Sequence, residues 1–149
     1  MSSPDRSTKV RNGSCLCKSV QYTVTGDPLT FRVCHCQNCR KATGSAFMTN
    51  VFFNKDNVCI TEGEEMLGTY PDQETWNGAT LNRLFCSSCG SNVFLRSTDK
   101  AAVERNIIII ALGTLNDDVD WVPKTELWPE LRRTFVHGIE TTKKNRPKL

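Results

Sequence analysis

The stretch CHCQNCRK, residues 34–41, places three cysteines within six residues. A structural zinc ion takes four protein ligands, whereas a catalytic zinc ion keeps one of its four positions open. Because this stretch offers three sulfurs and one histidine, it is either an incomplete structural site or a site that is left open for a substrate. The other cysteines of the chain decide between these two interpretations.

Five further cysteines lie outside this stretch. Cys15 and Cys17 form one pair, Cys86 and Cys89 form another, and Cys59 stands alone. The spacing of the second pair, CSSC, is typical of a zinc knuckle, because two intervening residues let both sulfurs reach one ion from a tight turn. A knuckle needs a second pair of ligands, and the first pair supplies it without a remainder. The pattern therefore predicts a closed four-cysteine structural site whose metal-binding free energy contributes to folding.

That partition leaves the three sulfurs of the opening stretch together: Cys34, Cys36 and Cys39. Cys59 could be their fourth partner, but the alternating stretch NVCIT favours a small buried apolar residue. His35 points away from its two neighbouring cysteines if the backbone is extended, so a residue that supports the ligands or packs beside them is favoured over a ligand. His137 is distant in sequence. The remaining interpretation is an open position for water or a substrate.

The charge of such a site limits its chemistry. Three thiolates and one Zn²⁺ carry a formal charge of −1, which makes the site a poor activator of water. The site suits a soft ligand such as a thiol, or a polarised oxygen if nearby cations offset the charge. Arg40 and Lys41 follow directly and could be these cations, although ordinary exposed helix charge is the favoured interpretation of both.

The composition is that of one globular domain with reduced cysteines. The chain has 149 residues, of which 38% are hydrophobic and 23% are charged. The N-terminal stretch MSSPDRSTKVRNGS lacks the apolar segment of a signal peptide, and the longest apolar run, IIIIAL, is too short to span a membrane. We therefore expect a cytoplasmic protein that uses its cysteines for metal binding rather than for disulfides.

The net charge gives no reason to expect a nucleic-acid partner or a membrane partner. The formal value is +3, and seven thiolates with two Zn²⁺ ions would change it by −3. The basic stretch KKNRPKL, residues 143–149, is interpreted as a solvated terminus.

Short strands dominate the predicted organisation. We expect a flexible arm over residues 1–12, one zinc domain over 13–140 and a basic flexible tail over 141–149. In SVQYTVTG the alternation of Val20, Tyr22 and Val24 predicts a half-buried strand, and NIIIIALGTL predicts a buried one. NCRKATGSAF predicts a short helix or turn that ends at Gly44, and residues 62–83 are expected to be rich in loops. Together these patterns predict a mainly β domain with few short helices.

Three blocks of the sequence resemble a known family. GSCLCKSVQYTV, CHCQNCRKATGSAF and FCSSCGSNVF are similar to the signature blocks of the glutathione-dependent formaldehyde-activating enzymes, a family that also includes centromere protein V. The resemblance implies a small, zinc-stabilised, β-tent-like fold of short antiparallel strands with two zinc ions per chain. It implies a structural zinc on one group of four cysteines: Cys15, Cys17, Cys86 and Cys89. It implies a second zinc, and the catalytic residues, in the other group: Cys34, Cys36 and Cys39.

The resemblance also implies an activity, that of a zinc-dependent carbon–sulfur lyase. Such an enzyme would join formaldehyde and glutathione to S-hydroxymethylglutathione, or run the reverse, and its partner would be a small-molecule thiol or glutathione adduct. Two alternatives are another small-molecule lyase or dehydration reaction in a biosynthetic pathway, and a non-catalytic zinc module that binds a protein. Homo-oligomerisation is left open. Four residues lie near the predicted site by sequence and are interpreted as turn or packing residues: Thr43, Gly44, Ser45 and Trp76.

Overall fold

The computed structural model describes residues 6–142, so residues 1–5 of the predicted arm and the basic stretch 143–149 lie outside the described range. Within that range the chain forms ten β-strands and two α-helices, which confirms the mainly β prediction. The strands are β1 (Val10–Ser14), β2 (Gln21–Thr25), β3 (Thr30–Cys34), β4 (Met48–Asn54), β5 (Val58–Glu62), β6 (Leu67–Asp72), β7 (Leu81–Cys86), β8 (Asn92–Ser97), β9 (Ile107–Ala111) and β10 (Thr125–Leu127). The helices are α1 (Gln37–Thr43) and α2 (Lys100–Glu104). None of the helices in residues 6–142 is long and apolar enough to cross a membrane.

The strands form two sheets. A three-stranded antiparallel sheet has the order β1-β2-β5, and a seven-stranded sheet has the order β10-β3-β4-β9-β8-β7-β6. The seven-stranded sheet is antiparallel except for β10, which pairs in parallel with β3. This parallel pair departs from the expected all-antiparallel arrangement. It places the end of β10 beside the end of β3, where the first of the three clustered cysteines lies.

One face of the large sheet packs against the small sheet. The predicted apolar face of β2 is confirmed, since Val20, Tyr22 and Val24 are all fully buried. The Tyr22 ring meets Phe94 of β8 edge-on, with the ring centroids 4.9 Å apart. Each large apolar side chain buried in this way stabilises the fold by about 1.5–3 kcal/mol. This face therefore provides the main hydrophobic core.

The opposite face of the large sheet carries a second, smaller apolar cluster. Successive side chains of a strand point to opposite faces, so β4 directs Val51 and Phe53 into the main core and Asn50 and Phe52 to the other side. Cys34, Met48, Leu95 and Ile109 pack in this second cluster together with Cys39 of α1. The face that does not build the main core thus carries the three clustered cysteines.

The stretch predicted to be a short helix or turn forms helix α1, which begins at Gln37 and ends where the sequence predicts. Cys36 caps its N-terminus, because its sulfur accepts a hydrogen bond from the backbone N–H of Cys39 at 3.3 Å. Gly44 ends the helix in the left-handed conformation at φ 63°, and its N–H donates to the carbonyl of Arg40. The cap therefore turns the chain so that two of the three clustered sulfurs lie within one helical turn.

The structure corrects two predicted boundaries. Strand β1 begins at Val10, inside the predicted arm, and Arg11 is buried there because its guanidinium donates to the carbonyl of Gly26 at 2.7 Å. Strand β6 lies in the segment that was expected to be rich in loops. Pro71 is tolerated within it because β6 is the edge strand of the large sheet.

The prediction that Cys59 is buried is wrong. Cys59 lies on β5, an edge strand of the small sheet, and its side chain is exposed. Val58 and Ile60 on either side pack against the main core, so the alternation of the strand directs the sulfur outward.

Candidate active site

Four of the cysteines meet at one end of the two sheets. Cys15 and Cys17 follow β1, Cys86 is the last residue of β7, and Cys89 lies in the turn between β7 and β8. Their sulfurs all lie within 4.8 Å of one another. The distance is 3.6 Å between the sulfurs of Cys15 and Cys17 and 3.8 Å between those of Cys17 and Cys86. Four sulfurs placed tetrahedrally at about 2.3 Å from one zinc ion would be about 3.8 Å apart, so the arrangement fits that ion.

The protonation of this four-cysteine cluster is uneven in the absence of a metal. Burial raises the pKa of the Cys15 thiol to about 11. Hydrogen bonds from the side chain and backbone of Ser91 lower the pKa of Cys89 to about 5. Because a metal ion requires thiolates, its binding would release protons from this cluster.

The other three clustered cysteines meet where β3 passes into α1. The sulfurs of Cys34, Cys36 and Cys39 lie within 4.8 Å of one another. Hydrogen bonds from the thiols of Cys34 and Cys39 hold the pKa of Cys36 far below its usual range, and donation to Cys36 raises the pKa of Cys34. Within residues 6–142 no fourth His, Cys, Asp or Glu side chain joins this group. The three-cysteine cluster can therefore hold a metal ion and leave one position open.

His35 lies between two of these cysteines but takes part in a different contact. Its side chain is fully buried, and its Nε2 lies 2.9 Å from Oε1 of Glu126 on β10. Glu126 also forms an ion pair with Arg132, and the His35 ring meets Phe47 edge-on. His35 thus has the packing role that was predicted for it. Neither Cys59 nor His137 joins a group of clustered ligand atoms.

The cation beside the three-cysteine cluster is Arg83, which the sequence did not indicate. Arg83 lies on β7 with only 6% of its surface exposed, and its Nη2 lies 3.9 Å from the sulfur of Cys39. Its Nε and Nη2 lie 3.0 and 2.9 Å from Oδ2 of Asp72. Burial lowers the pKa of the guanidinium, but the negative charges of Cys39 and Asp72 outweigh burial and raise it. Arg40 and Lys41 occupy the last turn of α1, where Lys41 is exposed, as predicted, and Arg40 is half-buried.

A second contact ties the helix to this ion pair. The side-chain amide of Asn38 donates to both carboxylate oxygens of Asp72, at 3.0 and 3.1 Å. Asp72 lies on the edge strand β6, so the contact joins α1 to the far side of the large sheet. The position of the cysteines on α1 is fixed through Asn38, Asp72 and Arg83 together.

The three-cysteine cluster opens onto a cavity of about 430 Å³. This volume lies within the range of roughly 300–1,000 Å³ that is typical of small-molecule sites. The walls are mainly apolar and aromatic, formed by Phe52, Trp76, Leu95, Ile109, Leu127 and Trp128. Trp76 lies in a turn, which is one of the two roles predicted for it, but its side chain does not pack inside the protein: it is 80% exposed at the cavity and meets Trp128 edge-on with ring centroids 6.3 Å apart.

The other residues expected near the site are turn residues, as predicted. The hydroxyl of Thr43 donates to the carbonyl of Cys39 at 2.8 Å, and the N–H of Ser45 donates to the same hydroxyl at 3.3 Å. With Gly44 they form the C-terminal cap of α1. None of the three lines the cavity at the cysteines.

These features define a class of protein: a small, mainly β, cysteine-rich domain whose two clusters could each hold a metal ion, one of them beside a cavity. The comparison with known families is more specific. Residues 10–130 match the model of the family described as "Glutathione-dependent formaldehyde-activating enzyme". The chain belongs to that family, as the three signature blocks predicted.

A curated protein and a solved structure are also similar to this chain. An uncharacterized lyase of Schizosaccharomyces pombe (strain 972 / ATCC 24843) is 28% identical over 87 residues, which is 58% of this chain and 58% of the relative. A crystal structure of a Rhodobacter sphaeroides protein, a structural genomics target, has a similar fold. Its TM-score is 0.54 at 20% identity, over 73% of this chain and 91% of that chain.

Proposed function

We propose that this protein is a zinc-dependent carbon–sulfur lyase that forms or cleaves the adduct of a thiol and an aldehyde. S-Hydroxymethylglutathione, formed from glutathione and formaldehyde, is the adduct to which the name of the family points. The observation that carries the proposal is a cluster of three cysteines, without a fourth ligand among the described residues, at the wall of a cavity of substrate size. The lyase name of the yeast relative supports the same class of reaction.

The donor set determines which metal the cluster would hold and what the metal would contribute. Three thiolates favour zinc over the hard cations, which prefer oxygen ligands. Bound at Cys34, Cys36 and Cys39, the zinc ion would supply a position for the sulfur of the substrate and favour its thiolate form. The other cluster, with four sulfurs, would hold a structural zinc.

The proposed reaction needs no oxidant or reductant. In the cleavage direction the carbon–sulfur bond of the adduct breaks and its electron pair stays on sulfur. The hydroxyl proton leaves to water as the carbon–oxygen double bond forms, and the reverse reaction takes the same steps backwards. The guanidinium of Arg83 lies at the cluster and would stabilise the negative charge that develops on sulfur. The walls of the cavity hold the two reactants together and reduce the entropic cost of their encounter.

Exchange between free and thiol-bound formaldehyde, followed by NMR, tests this proposal. Zinc-loaded protein should accelerate the exchange, and the Cys36→Ala variant should not, because it removes one of the three sulfurs. Cys59→Ala is the matched control, since Cys59 is an exposed cysteine outside both clusters. The proposal fails if zinc-loaded wild type accelerates the exchange of no thiol adduct, or if Cys36→Ala is as active as Cys59→Ala.

A further inference from the structure

We infer that the thiol adduct taken by this site has an uncharged, apolar body of about the size of an aromatic ring, and that Asn50 recognises its hydroxyl group. Glutathione, with two carboxylates and an ammonium group, is then a poor ligand. The reaction part of this inference rests on the proposed function, whereas the binding part concerns the cavity alone.

The walls of the cavity match an apolar body. Phe52 of β4, Ile109 of β9 and Leu95 of β8 come from three adjacent strands and form a continuous apolar floor. Trp76 and Trp128 lie opposite each other on two loops, and their rings meet edge-on. Aromatic side chains of this kind favour contact with another ring.

The charges at the cavity do not match glutathione. Among the described residues, the charged side chains that line it are Asp72, Glu74 and Arg83. Arg83 is the cation of the set, and it is already engaged by the Asp72 carboxylate and by the sulfur of Cys39. With Zn²⁺ on three thiolates, which adds a formal −1, the lining is net negative. A ligand with two carboxylates would therefore be repelled rather than neutralised.

Arg32 is another candidate partner for a carboxylate, but it lies outside the lining. It is on the same face of the large sheet as Cys34, and its guanidinium stacks over the Phe52 ring at 5.4 Å from the centroid. Its side chain is exposed, so an ion pair with it would be weakened by solvent.

Asn50 supplies a polar contact that an apolar ligand could still satisfy. Only 6% of its surface is exposed, and its Oδ1 has no hydrogen-bond partner within the described part of the chain. Asn50 lines the cavity from β4, opposite Arg32 and two pairs along from Cys34 and Met48 on the same face of the sheet, which places it close to the sulfurs. A buried carbonyl oxygen without a partner is unfavourable, so a hydroxyl or N–H of the ligand at this position would be favoured.

Binding of two unreactive probes to zinc-loaded protein tests the apolar body. 2-Phenylethanol carries a ring and a hydroxyl, and S-methylglutathione carries the charges of glutathione without a free thiol. We expect chemical-shift titrations to give at least about tenfold tighter binding of 2-phenylethanol, with shifts at the residues of the cavity. The inference is overturned if S-methylglutathione binds as tightly as 2-phenylethanol or more tightly.

The role of Asn50 is tested by a difference between two ligands. Asn50→Leu should weaken 2-phenylethanol binding about five- to tenfold and leave ethylbenzene, which lacks the hydroxyl, unchanged. Equal losses for both ligands would mean that Asn50 only shapes the cavity.

A second variant tests the charge of the cavity. Leu131→Arg adds a cation at the mouth of the cavity, where Leu131 is 42% exposed. It should strengthen S-methylglutathione binding, whereas Val103→Arg, an exposed position on α2 away from the cavity, should not. Equal gains from both variants would contradict the argument that the negative charge of the lining repels the carboxylates of glutathione.

The exchange assay with two thiols separates this inference from the proposed function. Faster exchange of formaldehyde with 2-phenylethanethiol than with glutathione supports both. Tight binding of 2-phenylethanol without exchange of any thiol adduct overturns the lyase function and supports the apolar ligand. Preferential exchange with glutathione supports the lyase function and overturns the inference.

Discussion

Replacing Arg83 by methionine should destabilise the protein through the carboxylate that it leaves behind. The side chains of Arg83 and Asp72 are each 7% exposed, so the pair is buried. Removing one partner of a buried ion pair costs about 3–5 kcal/mol, because the other charge stays in a poorly solvated place. Asp72 keeps its hydrogen bonds from the Asn38 amide and from the N–H of Glu74, which places the expected loss near the lower end, about 3 kcal/mol.

The double variant isolates the cause. In Arg83→Met/Asp72→Asn both charges are gone, and an amide that already has hydrogen-bond partners replaces the carboxylate. We expect this variant to lose only about 1 kcal/mol, which would give a coupling energy of about 2 kcal/mol or more in a double-mutant cycle. Urea unfolding followed by circular dichroism, at one fixed free zinc concentration, measures all four proteins. If Arg83→Met costs less than about 1 kcal/mol, or if the double variant is as unstable as Arg83→Met, the pair does not act as we describe.

Three further predictions concern the two clusters and a turn. Cys89→Ser should leave the protein unfolded by circular dichroism, because zinc binding at a structural site contributes about 10–16 kcal/mol and the whole free energy of unfolding of a domain is about 5–15 kcal/mol. Cys36→Ala should keep the fold and lose the exchange activity. A strong chelator should unfold the protein, and added zinc should restore the circular dichroism spectrum. Gly63→Ala should lower the free energy of unfolding by about 2–4 kcal/mol, because φ is +74° and a Cβ would overlap the backbone carbonyl of Ser19. Gly78→Ala is its control, with φ +75° and no atom within 4 Å of the added Cβ, and should cost only about 1 kcal/mol.

Each of these predictions has a contrary result. Equal loss of structure in Cys89→Ser and Cys36→Ala would remove the division of labour between the two clusters. A chelated protein with an unchanged spectrum and unchanged thermal stability would mean that no metal supports the fold. Equal destabilisation by alanine at Gly63 and Gly78 would assign the effect to backbone strain alone.

The grouping of the cysteines could be predicted from the sequence because it depends on local spacing. Cys86 and Cys89 need only the turn between them to share an ion, and Cys34, Cys36 and Cys39 need only a strand end and one helical turn. The assignment of Cys15 and Cys17 to the same ion as the CSSC pair followed from counting the cysteines. Alternation likewise identified the buried face of β2.

The surroundings of the clusters could not be predicted, because they depend on contacts between distant strands. Arg83 and Asp72 are neighbours only because β6 and β7 pair at the edge of the sheet. Strand β6 is hard to predict because a proline such as Pro71 argues against a strand in the centre of a sheet. It is tolerated only because β6 is an edge strand. The alternation around Cys59 predicts a strand, but it does not say which of the two alternating sets of side chains faces the core. Choosing the wrong set places every side chain of the strand on the wrong face.

The two cysteine clusters differ greatly in how far along the chain their members lie, and this has a consequence for the order of events during folding. Cys17 and Cys86 are 69 residues apart, whereas Cys34 and Cys39 are five apart. The entropic cost of closing a loop rises with its length, so the short segment can gather its three sulfurs around an ion before any sheet exists. The four-sulfur cluster can close only after β1 and the β7–β8 turn have been brought together. A nascent chain would therefore bind its first ion at the three-cysteine cluster, and it would bind its second ion at the four-cysteine cluster only once the fold is complete.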